Sequence, residues 1–280
     1  MRKIIGVLGL LSVAFMAGCG SSGSSAPATQ VSGAVADGYL QNAQVFLDKN
    51  GNYQLDAGEP STMTDANGAY TLSIDPADVG KYPIVAVAIK DQTIDKDTGL
   101  AVPNSYVLCT PAAGVSGTVS NFISPMSTLL REKLEANPGM TLAEAMTQLR
   151  NQLNMPVGMN MTGDYVAGSM AGQYQQQYQE MHQVAQQMAG LMGAESGLVM
   201  NGNNVNMGRF RSMMGQINQN MPQITDNVGQ GLGMSSTFMN SMKTQMQTTL
   251  GGMPAASGFM NYSGGRMTPG TGMMSGSAMR

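Results

Sequence analysis

Asp48, Asn50, Asn52, Asp56 and Glu59 stand at positions 1, 3, 5, 9 and 12 of one segment, with Gln54 at position 7. The five bear side-chain oxygens, and alternate residues of a tightly curled loop can turn those oxygens toward one centre. Calcium is a hard cation that takes six to eight oxygens at about 2.3–2.6 Å, so the segment reads as a calcium loop. Its expected ligands are Asp48, Asn50, Asn52, Gln54 (through its backbone carbonyl), Asp56 and Glu59, the last closing the shell in bidentate fashion. The spacing is of the EF-hand type with one departure: position 6 is Tyr53, where a sharp turn asks for Gly, and Gly51 at position 4 offers another bend. The competing reading is a solvated hairpin loop, because Asp and Asn make turns without metal.

Methionine is the second chemical signal. The chain holds 28 Met and one His, and 25 of the Met lie in residues 121–280 against ten Leu there. Thioether sulfur binds Cu(I) or Ag(I). Met155, Met159 and Met161, the pair Met213–Met214 and the tail residues Met253, Met260, Met267, Met273, Met274 and Met279 are closely spaced, and His182 follows Met181. Within the helical segments the Met recur at three-four spacing, where Leu normally sits. The preferred reading is therefore an adaptable core or contact surface. Copper(I) or silver(I) handling in the periplasm is the alternative.

The N-terminus reads as an address. Arg2 and Lys3 precede an apolar stretch, Ile4 to Phe15, too short to span a bilayer. It ends in Met16-Ala17-Gly18-Cys19, which resembles the lipobox of bacterial lipoproteins. The resemblance implies cleavage before Cys19 and its modification by diacylglycerol, a palmitate-bearing anchor, with Gly20 in place of an Asp favouring the outer membrane. Loss of the two cations in residues 1–18 takes the charge from −3 to −5. Cys109 is then left without a partner and is expected to be a buried, inert thiol in a strand.

A second resemblance follows in order along the chain: Gly33-Ala34-Val35, Ala43-Gln44-Val45-Phe46-Leu47-Asp48, Asp56-Ala57-Gly58-Glu59-Pro60, Thr64-Asp65-Ala66-Asn67-Gly68-Ala69-Tyr70 and Gly80-Lys81-Tyr82. This looks like the calcium-binding B-type repeats of Gram-positive surface adhesins, relatives of the collagen-adhesin and prealbumin-like modules. Over about residues 30–90 it implies an extracytoplasmic Ig/prealbumin-like β-sandwich stiffened by calcium. Asp65 matches a turn Asp of that family, with a weaker claim on metal. Such adhesins repeat the module and this chain has one copy, so a tandem stalk is not expected.

The elements that must position these groups divide the chain. Residues 30–112 hold ten carboxylates and four lysines, and residues 121–280 seven carboxylates and eight Lys or Arg. In the first part, short β-rich runs alternate with turn signals: Val31–Ala36, Ala43–Leu47, Ala69–Ile74, Ile84–Ile89 and Ser105–Cys109. The run from Ile84 to Ile89 is apolar throughout and is expected at the centre of a sheet, buried on both faces. After a linker at 113–120 the period becomes helical. Ser124-Pro125 opens a helix to about Ala136, and Thr141 with Glu144 makes a capping box for a second. Asp164 is expected to cap a long helix to about Met192, with Tyr174, Tyr178, Met181, Met188 and Met192 on one stripe and Gln on the others. Two further stripes are Met207-Phe210-Met214-Ile217-Met221 and Met239-Met242-Met246-Leu250, which makes four or five helices. The expected fold class is multidomain α+β: signal peptide 1–18, lipidated tether 19–29, β-sandwich 30–112, helical Met-rich region 121–250 and a disordered tail 251–280.

Composition excludes several functions. Fourteen Lys and Arg against seventeen Asp and Glu do not make a nucleic-acid binder, and two distant Cys with one His do not make a zinc or c-type haem site. No nucleophile elbow, zincin or P-loop motif is present, so an enzyme is not expected. The function expected is presentation: an envelope lipoprotein, anchored in the membrane, that offers its modules to a protein partner.

Overall fold

A computed structural model describes residues 27–202 and 204–255. The lipobox with Cys19, the start of the tether and the tail from residue 256 onward lie outside the described residues.

The chain is mixed α+β, with sheets in its N-terminal part and helices after them. Alternation dictates the first sheet. In β5 (Ala69–Ile74), Tyr70, Leu72 and Ile74 point inward and Thr71 and Ser73 outward. It pairs antiparallel with β1 (Thr29–Val35), Val31 opposite Leu72, while Ser32 and Thr71 share a hydrogen bond on the outer face. The third strand is β10 (Asn121–Ile123), parallel to β1 with Gly33 opposite Asn121. A Cβ on Gly33 would stand 1.8 Å from the Asn121 carbonyl oxygen, so this pairing requires glycine.

The second sheet runs β4 (Ser61–Met63), β3 (Gln44–Leu47), β6 (Ile84–Ala88), β9 (Tyr106–Cys109), antiparallel throughout. Every residue of β6 and β9 is buried, as the continuous apolar run at Ile84 requires. One side of this sheet meets the first sheet, β3 and β4 against β5 and β6 against β10, and β9 meets helices α1 (Pro125–Ala136) and α4 (Gln175–Ala194). A small third sheet joins β2 (Leu40–Gln41), β7 (Ile94–Asp95) and β8 (Leu100–Ala101). The Asn67-Gly68 turn is built as expected: Gly68 has φ +73°, and the Asp65 carboxylate accepts from the amides of Asn67 and Ala69.

Helix α1 starts at Pro125 with Ser124 and Ser127 capping each other, and α2 (Leu142–Gln152) with the box of Thr141 and Glu144. The long helix expected from Asp164 is two pieces. Asp164 caps only α3 (Tyr165–Gly168), and α4 begins at Gln175 without a side-chain cap. Gly172 at φ +118° breaks the path, and the Tyr178 ring fills the place of a Cβ on Gly168, 2.5 Å away. The short α5 (Ser196–Val199) and the hairpin of β11 (Met200–Asn201) and β12 (Asn204–Val205) follow. Then come α6 (Met207–Gln219), α7 (Met221–Gly229) and α8 (Thr237–Gly251). The described residues thus hold eight helices where four or five were expected. Two are single turns too short to show a period, and the Met207–Met221 stripe divides at Asn220 between α6 and α7.

The methionine stripes face inward. Met181, Met188, Met192, Met213, Met214, Met221, Met239, Met242 and Met246 are buried, and they belong to one apolar cluster that also contains the strand residues. The two compositional regions share a core. Strand β10, beyond the expected linker, belongs to the first sheet. The beginning of the expected tail is tied down: Arg209 Nη2 donates to the Met253 carbonyl, and Asn206 Nδ2 to those of Pro254 and Ala255, 3.1 Å each.

Candidate functional site

The segment from Asp48 leaves the buried end of β3, and Asp48 itself is fully buried. A carboxylate there must be satisfied on both oxygens. Oδ1 accepts from the amides of Gly51 (2.8 Å) and Asn52 (3.1 Å), and Oδ2 from the amide of Tyr53 (3.2 Å) and from Arg131 Nη2 of α1 (3.1 Å). The loop therefore winds around its first residue, and a guanidinium balances the charge.

Tyr53 explains the departure at position 6. It adopts φ +63°, a conformation that costs an ordinary residue about 1–2 kcal/mol. Its side chain holds it there. The ring is fully buried, lies 4.0 Å beneath the Arg131 guanidinium and 4.7 Å from the Phe210 ring, and the hydroxyl donates to Glu132 Oε1 at 2.5 Å. Burial raises the Glu132 carboxyl above its usual range, against the pull of the Tyr53 hydrogen bond and of Arg131. Glycine at this position would turn as easily but would leave the loop unattached to α1 and α6.

The remaining expected ligands divide into two groups. Asn50 Nδ2 and Asn52 Nδ2 both donate to Asp56 Oδ2 at 2.7 Å, so three of them meet at one point on the exposed side of the loop. Glu59 closes the loop, accepting from the amide of Lys49 on Oε1 (2.7 Å) and from that of Asp56 on Oε2 (3.0 Å). Burial is the main cause raising the Glu59 carboxyl, with the two amides opposing it. Gln54 turns its side chain away, to the Val205 carbonyl at 3.4 Å. Asp65 is occupied by its own turn.

The donor set suits a hard cation at part of the loop. Each amide carries an oxygen on the same carbon as its nitrogen, and a half-turn exchanges them. Offering those oxygens beside Asp56 would release the bonds that Asn50 Oδ1 and Asn52 Oδ1 accept from the amides of Asn52 (3.1 Å) and Gln54 (2.8 Å). Asp48 already has four donors around its two oxygens. Among the described residues no group of three or more His, Cys, Asp and Glu side chains is arranged to hold a metal, and the loop's convergence depends on asparagine.

Two other expectations meet the structure. Cys109 is fully buried in β9, and burial pushes its thiol up to about 12, so it is inert as a nucleophile. His182, the one histidine beside the Met and Gln residues of α4, is half-buried. Its Nε2 lies 2.7 Å from Asp97 Oδ2, which also accepts from Gln186, and its ring packs 5.6 Å from that of Tyr165. A lone His amid Gln carries no sequence signal for a partner 85 residues away. Arg131 was likewise unmarked, since a single Arg in an amphipathic helix normally reads as solvated. Met155, Met159 and Met161 are all buried.

Comparisons with protein-family models, curated proteins and solved structures give no match. No helix among the described residues is long and apolar enough to cross a membrane.

Proposed function

We propose that this chain is a non-catalytic lipoprotein of the bacterial envelope. It would present an Ig/prealbumin-like β-sandwich, stiffened by calcium and backed by Met-rich helices, to a protein partner. The observation that carries the reading is the convergence of Asn50 and Asn52 on the Asp56 carboxylate, closed by Glu59. Calcium there would draw on Asn50, Asn52, Asp56 and Glu59. Asp48 would organise the loop from within, and Gln54 would contribute at most its backbone. The ion would supply rigidity and no chemical step.

Two stacked sheets and the turn at Asp65 support the β-sandwich reading. The non-catalytic reading is supported by the occupation of the groups that could do chemistry: Asp48 by Arg131, His182 by Asp97, Cys109 by burial. The anchor reading rests on the lipobox alone. Outer-membrane placement follows from Gly20 and the anchor, with the domain facing the periplasm or the cell surface.

Calcium titration of the full-length protein in detergent tests the loop. The midpoint of thermal unfolding should rise with calcium and not with magnesium. Asp56→Ala or Glu59→Ala should abolish the rise. A midpoint indifferent to calcium in the wild-type protein removes the ion from the proposal. Growth with labelled palmitate tests the anchor: the label should be present in the wild type and lost in Cys19→Ser.

A further inference from the structure

A second cluster of charged groups joins sheet and helices, and among the described residues no cation of Lys or Arg is paired to it. Asp37, in the turn between β1 and β2, is more than nine-tenths buried. Tyr106 of β9 donates to its Oδ2 at 2.8 Å, while Oδ1 has no hydrogen-bond partner among the described residues. Across from it lies the turn between β7 and β8. Asp95 Oδ1 and Asp97 Oδ2 stand within 2.7 Å of the place where a Cβ on the neighbouring Gly38 would be. Asp97 reaches on to α4 through His182 and Gln186, and His182 stacks on Tyr165 of α3, whose hydroxyl donates to the Ala36 carbonyl at 2.8 Å. Tyr39, beside Gly38, donates to Asp164 at 2.7 Å. The groups facing Asp37 are thus Tyr106, Asp95, Asp97 and Tyr165, with His182 one step behind Asp97.

We propose that this cluster is a pH-dependent clamp between the β7–β8 turn and helix α4, closed in mild acid and loosened as the pH rises. A neutral carboxylic acid tolerates one unmet oxygen far better than an anion does in the same place. Ionised, Asp37 would stand uncompensated beside two further carboxylates. Burial is the largest cause holding its proton, raising the group to about 7, and Asp95 and Asp97 add to it against the Tyr106 hydrogen bond. An ionised Asp37 would repel Asp97, the residue that holds α4 through His182 and Gln186.

The sign follows from linkage. The folded state keeps on Asp37 a proton that the unfolded chain releases near 3.8, the ordinary value of an aspartate. The stabilisation is complete below that pH and is lost as the pH climbs to about 7.

Hydrogen exchange on the full-length protein in detergent, corrected for intrinsic rates, reads the clamp locally. Between pH 5.5 and 8, amides of residues 94–101 and the first half of α4 should lose protection by about tenfold or more. In Asp37→Asn that pH difference should shrink to about threefold or less, since the amide does not titrate. Should Asp37→Asn not fold, Tyr106→Phe serves: removing its hydrogen bond should move the loss of protection to higher pH. An equal pH difference in wild type and Asp37→Asn, or an unmoved profile in Tyr106→Phe, overturns the proposal. So does protection of this segment by millimolar calcium or manganese that Asp37→Asn abolishes, which would make the cluster a metal site instead.

Discussion

The sheets meet the helices at two polar places of opposite construction. At the first, Asp48 is neutralised by Arg131, whose charge does not titrate in the physiological range, and Tyr53 bolts the loop beneath it. At the second, Asp37, Asp95 and Asp97 gather with one imidazole and no guanidinium. The comparison teaches that burying a carboxylate permanently and burying it conditionally call for different partners. A guanidinium makes a joint whose cation keeps its charge throughout the physiological range. A buried carboxyl that keeps its own proton makes one that responds.

The largest effect should come from breaking the fixed joint. Arg131→Met leaves the Asp48 carboxylate buried without its counter-charge, and the loss should be about 3–5 kcal/mol in denaturant unfolding, present at pH 5.5 and pH 8 alike. A loss confined to the higher pH would erase the contrast between the two places. Tyr53→Phe keeps the ring under Arg131 and removes only the hydroxyl from Glu132, so about 1–2 kcal/mol is expected. This variant should also raise the calcium needed for half-stabilisation, because the loop loses part of its anchorage. The smallest effect belongs to the core that spans both places. Met188→Leu conserves volume and should cost less than about 1.5 kcal/mol. If the methionines serve only as core, the same variant should leave any uptake of cuprous ion under reducing conditions unchanged.

Local signals were legible in the sequence. The alternation in Ala69–Ile74, the apolar run at Ile84 and the caps at Ser124 and Thr141 each depend on neighbours within a few residues, and the structure places them as read. In the loop, spacing made legible the meeting of Asn50, Asn52 and Asp56, and not the turning away of Gln54 or the pairing of Asp48 with Arg131. What escaped depends on distant partners or on competition between signals. Strand β10 is three residues long and becomes a strand only because Gly33 lets it approach β1. The break between α3 and α4 was written in Gly168 and Gly172, but the Tyr and Met periodicity runs across it. Tyr53 stood out as an irregularity in a metal-loop pattern. Its purpose becomes visible only with Arg131 and Phe210 beside it, 78 and 157 residues further on.

The parallel pairing of β1 with β10 sets an order of events. Gly33 meets Asn121 across 88 intervening steps of chain. A chain emerging N-terminus first can form the β1–β5 pair early but must hold one edge of β1 open until residue 123 is available. Closure of so long a loop is slow, and an unpaired strand edge invites pairing with other chains in the meantime. The first strand to appear is thus among the last to be completed, and the helix that begins at Pro125 follows directly on the strand that completes it.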